Sequence, residues 1–529
     1  MTGIITDVLS SKKKRPIDVQ IFDYRQCFDS LWLEECLNDL YDSGVKNDNL
    51  ALLYNVNKHV KVAVKTPVGK TTRKSIFSAI TQGDVFSPIL CSNLVDTIGK
   101  ECLQEGKYTY SYRGEVDIPP LSMMDDLLCV SECGHKSYMI NAYINHKTSS
   151  KKLQFGTDKC KKMHVGKIKE DYKCRKLVID QWTEELKINN ENKYIEIKDT
   201  FEGKKEMEEK SEEKYLGVII SKDGKNMKNI KDRVAKGTGI VKRIFAILDS
   251  IPLGKHYFEV AMILRDSLLI SSILYNAEAW YNISNTELNL IETVDLMFMR
   301  KLLNAPKATS IEMFYLELGC LPFRQIIREK RLSFLHYILN EDSKSLIHKF
   351  FQAQLKTRTN KDWITSVIDD LKRLEIMFSF EEIRKMKKEN FMMMVKNRIM
   401  TKTFQSMEER KRTYSKVKDI QHENLKMQKY LKPNQCKMRK EDAQLIFRLR
   451  CRSTNVKTNL KGMYDNLECT ACGLEEESQI HIVQCKKLNE KRLEKILKYE
   501  KIYNGTVNEK LLIAKIFKEN YDVLENMKK

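Results

Sequence analysis

The chain has 529 residues, 42% of them hydrophobic and 31% charged, with a formal net charge of +21. That length allows two or three domains with their own cores, and the balance suits a soluble, helix-rich globular protein. No apolar run approaches the roughly 18 residues of a membrane span, no signal peptide or lipid anchor is evident, and the 14 scattered cysteines read as reduced thiols rather than a disulfide framework. The expectation is a nuclear or cytoplasmic protein, neither secreted nor membrane-bound, whose positive surplus attracts nucleic acid.

In chain order, Lys12-Lys13-Lys14-Arg15 reads as a solvated loop or a nuclear address. "PIDVQIFDY" alternates Ile17, Val19 and Ile21 as a strand, with Asp23 where the pattern should bury a side chain. "SLWLEECLNDLYDSGV" switches to helical spacing, with Ser30 as N-cap and Gly44 as stop. "HVKVAVKTPVGKTTRK" reads as a strand with Val60, Val62 and Val64 inward, then a turn at Pro67–Gly69. Ser87 and Pro88 start a helix. "PPLSMMDDLLCV" reads as a hairpin with Asp125 and Asp126 at its turn, followed by a helix over roughly 135–152 and the strand "KKMHVGK".

The fold class expected from this order is α+β, an antiparallel sheet backed by helices on one face. Residues 171–214 are polar, with "EGKKEMEEKSEEK" expected as an exposed helix or loop, before the strand "YLGVIIS" and an Asp223-Gly224 turn. From about 226 to 450 nearly everything reads as Lys- and Met-rich helix. A second Asp-Asp pair, Asp369–Asp370, sits in an ordinary helical pattern.

A buried carboxylate without a partner is expensive, and three together repel one another. Divalent cations resolve that conflict. Mg²⁺ takes a few carboxylates plus phosphate oxygens, and a pair of ions activates a 3′-hydroxyl while stabilising departing pyrophosphate. Asp23, Asp125 and Asp126 suit that chemistry if the first faces the other two across the sheet.

"FDYRQCFDS" (22–30), "TQGDVFSPI" (81–89), "MMDD" (123–126), "LQFGTDKCKKMHVG" (153–166) and "KYLGVIISKDG" (214–224) occur in this order. They resemble motifs A to E of reverse transcriptases, most closely those of non-LTR (LINE-type) retrotransposons, and "LYNAEAW" (274–280) resembles their thumb segment. The likeness covers about 15–345, with 465–485 as a separate module.

The resemblance implies a right-hand polymerase palm at 1–228 with a remnant of fingers and a helical thumb at 229–345. Beyond these it implies a basic helical connection at 346–464, a zinc-knuckle-like module at 465–490 and a helical tail at 491–529. It makes Asp23 and Asp125 the principal ligands of Mg²⁺ or Mn²⁺, with Asp126 the neighbouring acid. Phe28 matches the aromatic gate that selects dNTPs, or is a core aromatic at a helix entrance. Gln82 and Gly83 match the pair where backbone approaches nucleotide and template, or a plain tight turn. Lys159 matches the lysine that protonates pyrophosphate, or is one more surface lysine.

Tyr215, Leu216 and Gly217 match the primer grip, or a packed hairpin. Lys61, Lys65, Lys70, Arg73 and Lys74 suit template phosphates or a solvated face. The implied partners are an RNA template, a DNA primer or target and dNTPs. Met123 stands where many members carry Tyr or Phe, and little of the fingers precedes Asp23, as in an N-terminally truncated element.

"CTACGLEEESQIHIVQC" offers Cys469, Cys472, His481 and Cys485, four ligands for tetrahedral structural Zn²⁺. Arg448, Arg450 and Arg452 nearby suggest a grip on RNA or DNA. Two other readings share these features: an impaired remnant that only binds nucleic acid, and an intron maturase. "LYNAEAW" and the position of the Cys-rich module speak against the latter.

Overall fold

Ile17, Val19 and Ile21 do form a strand, β1 (Ile17–Asp23), and it is buried along its length until Asp23. In the computed structural model, which describes residues 1–10, 16–58, 61–75, 85–166, 176–188, 195–432, 438–490 and 498–528, the chain divides into two units. The first joins Met1–Asn229 to Glu341–Ile364; the second joins Ile230–Asn340 to Thr365–Lys529. The Lys12–Arg15 run, Gln82 and Gly83 lie outside the described residues.

After β1 come helix α1 (Ser87–Glu105), strands β2 (Leu121–Met123) and β3 (Asp126–Glu132), helix α2 (His135–Ser150), and strands β4 (Lys161–Val165) and β5 (Glu208–Glu209). They make a five-stranded sheet in the order β5-β4-β1-β3-β2, antiparallel except for β5 beside β4. The period of two divides the strands between two cores. Phe22, Leu127 and Cys129 pack against Leu90, Leu94 and Ile98 of α1 and Ile140 and Ile144 of α2.

Ile17, Val19, Ile21, Leu128, Val130, Met163 and Val165 face the other way, and that face is covered too. Its cover is Ile4, Ile5 and Val8 of the first helix, the hairpin Tyr110–Tyr112/Val116–Ile118 and Ala353. A sheet with helices on a single face was the expectation. The sequence-distant helix Leu346–Lys356 changes that: Phe350 stacks on Tyr112 at 4.3 Å, and Arg113 pairs with Asp7 at 3.1 Å and Asp362 at 2.7 Å.

Other local expectations also change. Most of the "EGKKEMEEKSEEK" stretch is strand, in Ile195–Glu206, Glu208–Glu209 and Glu212–Tyr215: the first pairs with Val178–Ile188, and Met207 is buried with its N–H on the Leu177 carbonyl. The alternating charges of this stretch meet opposite charges on β4, Lys161 with Glu208 at 2.7 Å and Lys162 with Glu206 at 3.6 Å. Val62 and Val64 are 45% and 60% exposed, because their segment forms two-residue ladders (Lys61–Val62 with Lys74–Ser75, Lys65–Thr66 with Gly69–Lys70) instead of joining the sheet. Ser30 ends a short helix, Cys27–Ser30, bonding back to the carbonyls of Arg25 and Gln26, while Trp32 precedes Leu33–Asp42.

The second unit is helical around one extended core. "LYNAEAW" lies inside it: Leu274, Ala277 and Trp280 are buried, and the Trp280 carbonyl accepts from Arg331 Nε and Nη2 at 3.1 and 2.8 Å. The second Asp-Asp pair is explained by neighbours, since Asp370 is bound by Arg331 and Arg328. Glu317, fully buried, accepts from Arg450 Nε and Nη2 at 2.9 and 2.8 Å and from Tyr430 at 2.7 Å, and meets His422 at 2.9 Å. Burial alone would raise its carboxyl, but Arg450 and His422 outweigh this and hold it well below the usual range.

Arg450 is thus committed to the core and does not reach nucleic acid, while Arg452 donates to the Tyr503 hydroxyl and Arg448 to Asn455. Glu317→Ala is expected to cost about 3–5 kcal/mol by stranding the Arg450 charge, read as a lower urea midpoint at unchanged slope.

Candidate active site and a cysteine-histidine cluster

The register of the sheet places the acids. Asp23 at the end of β1 lies opposite Asp126 at the start of β3, and Met123 is the β2 partner of Asp126. Parity puts Asp23 on the face of Ile21 and Asp126 on the face of Leu128, the same side, where directly opposed residues have Cβ atoms about 4.5–5.5 Å apart. Met124 and Asp125 form the two-residue hairpin loop, with Met124 left-handed at φ 56°. A non-glycine residue there costs of order 1–3 kcal/mol, and Met124 is held by packing against the helix-backed core.

The three carboxylates feel one another. Burial raises the Asp126 carboxyl, Asp125 and Asp23 raise it further, and Lys159 opposes them. Among the described residues, however, the side-chain clusters whose ligand atoms converge within 4.8 Å do not include this trio. Asp23 Oδ1 instead accepts from Lys159 Nζ at 3.0 Å. An all-oxygen, half-exposed donor set with excess negative charge fits a hard divalent cation that keeps room for water or phosphate oxygens.

Lys159 reaches Asp23 because its loop is laid along the strand end. Gly156 N–H donates to the Asp23 carbonyl and Arg25 N–H to the Gln154 carbonyl, each at 2.8 Å. Phe155 stacks on Tyr24 at a ring separation of 4.7 Å and lies tilted against Phe22 at 4.9 Å. Phe155 and Gly156 are positioning residues not singled out in the sequence, although the Phe-Gly pair inside "LQFGTDK" was a usable signal.

The hydrogen bond to Asp23, then its charge, raises the Lys159 ammonium pKa, so Lys159 is a proton donor rather than a base at neutral pH. Its side chain is 68% exposed, so the pair adds little stability. Lys159→Met is expected to lower the kcat of templated nucleotide addition about 10²-fold with the midpoint of thermal unfolding unchanged. Equal loss of both would indicate a structural lysine.

Tyr215 belongs to a hairpin (Glu212–Tyr215 with Val218–Ser221) whose loop residues Leu216 and Gly217 are left-handed at φ 46° and 76°, as a two-residue hairpin turn requires. The Tyr215 hydroxyl donates to the Leu121 carbonyl at 3.4 Å, and burial with the nearby Asp126 charge raises its pKa. The Tyr215 ring thus lies along β2, near enough for Asp126 to act on its hydroxyl. Phe28 is half-buried against the helix-backed core, on the helix that follows Asp23. Lys61, Lys65, Lys70 and Arg73 are exposed.

In the second unit Cys469, Cys472, His481 and Cys485 bring one ligand atom each within 4.8 Å of the others. Gly473, left-handed at φ 66°, closes the knuckle with its N–H on the Cys469 carbonyl at 2.8 Å. Ser478 caps the helix Gln479–Gln484 and so orients His481, whose Nδ1 meets Glu475 at 3.0 Å, leaving Nε2 3.3 Å from Cys472 Sγ. Burial opposes ionisation of Cys472, but hydrogen bonds from Leu474 N–H, Cys469, His481 and Cys485 lower its thiol to about 7. Burial instead raises the Cys485 thiol to about 11, and three soft sulfur ligands with an imidazole fixed through its far nitrogen fit zinc. Far from standing apart, Cys469, Ile482, Val483 and Cys485 belong to the unit's main core.

Residues 4–220 match the family model described as reverse transcriptase (RNA-dependent DNA polymerase). The first unit therefore carries a reverse transcriptase domain, the domain of RNA-directed DNA polymerases, which are nucleotidyltransferases. No curated protein matches the chain. Among solved structures, telomerase from Candida tropicalis in complex with a TWJ fragment of telomeric RNA is similar at 12% identity and a TM-score of 0.29, over 72% of this chain and 50% of that one. The Candida albicans counterpart has 12% identity and a TM-score of 0.31, over 73% of this chain and 52% of that one. This chain thus spans about half the length of those telomerase chains. No helix among the described residues is long and apolar enough to cross a membrane.

Proposed function

We propose that the protein is the reverse transcriptase of a non-LTR, LINE-type retrotransposon, copying an RNA template by adding dNTPs to a DNA primer. The observation that carries this reading is the pairing of Asp23 with Asp126 at one end of the sheet, with Asp125 in the adjoining loop and Lys159 and Tyr215 beside them. The non-LTR assignment rests on the order of the five motifs and on "LYNAEAW".

Asp23, Asp125 and Asp126 would hold Mg²⁺ or Mn²⁺, which supplies charge neutralisation for the attacking 3′-oxygen and the departing pyrophosphate. Lys159 gives its proton to the pyrophosphate. Phe28 bars a 2′-hydroxyl, Gln82 and Gly83 meet the incoming nucleotide and template, and Tyr215, Leu216 and Gly217 hold the primer end. Residues 1–228 form the palm and residues 229–345 the helical thumb. Cys469, Cys472, His481 and Cys485 hold structural zinc.

The test is extension of oligo(dT) on poly(rA) with dTTP and Mg²⁺ or Mn²⁺. Incorporation is expected. A chain that shifts RNA in a gel but incorporates nothing would be a binding remnant instead.

A further inference from the structure

At the opposite end of the same sheet, three side chains of different chemistry meet. Asp18 and His164 are cross-strand partners on β1 and β4, with Asp18 Oδ1 2.9 Å from His164 Nδ1. Cys133 follows β3 directly, and its N–H donates to the Pro16 carbonyl at 2.8 Å. One ligand atom from each of Asp18, Cys133 and His164 lies within 4.8 Å of the other two. Asp18 and Cys133 are buried, and His164 is mostly so.

The imidazole is incompletely satisfied. With Nδ1 engaged by Asp18, Nε2 is shielded from solvent and has no hydrogen-bond partner. Leaving such a nitrogen unpaired costs about 1–3 kcal/mol, which an ordinary His–Asp pair would not require. Sulfur, imidazole nitrogen and carboxylate oxygen together are a donor set for a borderline divalent ion, and zinc accepts all three.

We propose that Cys133, His164 and Asp18 form a second zinc site, with water as the fourth ligand, that staples β3, β1 and β4 together at the end remote from Asp23. The site draws on three strands whose ladder pairs Asp18 with His164 and Ser131. Because a thiolate and a neutral imidazole are needed, zinc displaces the Cys133 proton to solvent on binding. This ion is separate from the cysteine-histidine cluster, whose four ligands all lie in the second unit.

The test is zinc content of the full-length chain after incubation with excess zinc sulfate and gel filtration. Cys133→Ser and, as a second variant, His164→Gln are each compared with the unmodified chain, with native far-UV circular dichroism required of both. Each variant is expected to retain one zinc fewer per chain and to show a smaller rise in thermal midpoint on adding zinc than the unmodified chain, the remaining rise belonging to the cysteine-histidine cluster. An unchanged zinc count in a folded variant would overturn the site and leave Asp18–His164 as a buried ion pair.

Discussion

Asp126→Asn is expected to lower templated incorporation at least about 10³-fold, a barrier of roughly 4 kcal/mol, while making the metal-free protein more stable to heat. The loss follows from removing one of two carboxylates that face each other across the β1–β3 pair. The gain follows from the direction of the Asp126 shift. Burial, then Asp125 and Asp23, raises its folded-state pKa, so the folded chain binds that proton more tightly than the unfolded chain. Such a group contributes stability below its ordinary carboxylate pKa, and that contribution is lost as pH rises through the folded value.

At neutral pH the ionised side chain is therefore a burden that asparagine does not carry. Thermal unfolding in EDTA checks this: the variant should unfold at a higher temperature at pH 7, and the gap should close toward pH 4. Asp125→Ala should match the activity loss. A variant that is inactive and less stable at every pH would instead mean that Asp126 is a structural residue.

Cys472→Ser is expected to release the zinc proposed for the cysteine-histidine cluster and to loosen the carboxyl-terminal helix Val507–Lys528. That helix is pinned to the knuckle through Asn520, which donates to the Ile482 carbonyl at 2.8 Å and to Asn489 at 3.2 Å. Lys528 also reaches buried Glu477 at 2.7 Å. Structural zinc contributes on the order of 10 kcal/mol to the folding of small domains, and even a fraction of that exceeds what a surface change could cause. Amide hydrogen exchange over 507–528 and the zinc content report the two effects separately. Loss of zinc with unchanged exchange in the helix would confine the metal's influence to the knuckle.

The parts of the fold legible in the sequence are those where one local period decides the outcome. β1 alternates through Ile17, Val19 and Ile21, so the acid at its end stood out, and the "MMDD" turn followed from two apolar arms. Nothing local announces that Leu346–Lys356 returns to the sheet, because its apolar stripe would serve any core. The strand ends at 206–209 were obscured by their charges, which make sense once Lys162 and Lys161 of β4 pair with Glu206 and Glu208. Arg450 looked like a nucleic-acid contact because Glu317, which binds it in the core, is far away in sequence. The converging cysteines and histidine were legible, since a short knuckle fixes its own geometry, but their embedding in a larger core was not.

The tethers between the Asp23 carbonyl and Gly156, and between Arg25 and Gln154, join two chain segments more than a hundred positions apart into a single lever. An acid and the ammonium that faces it are thus carried on one mechanical part rather than two. A displacement at either end travels to the other without crossing a side chain. Insertions into the 153–160 stretch are therefore tolerated no better than insertions into β1 itself.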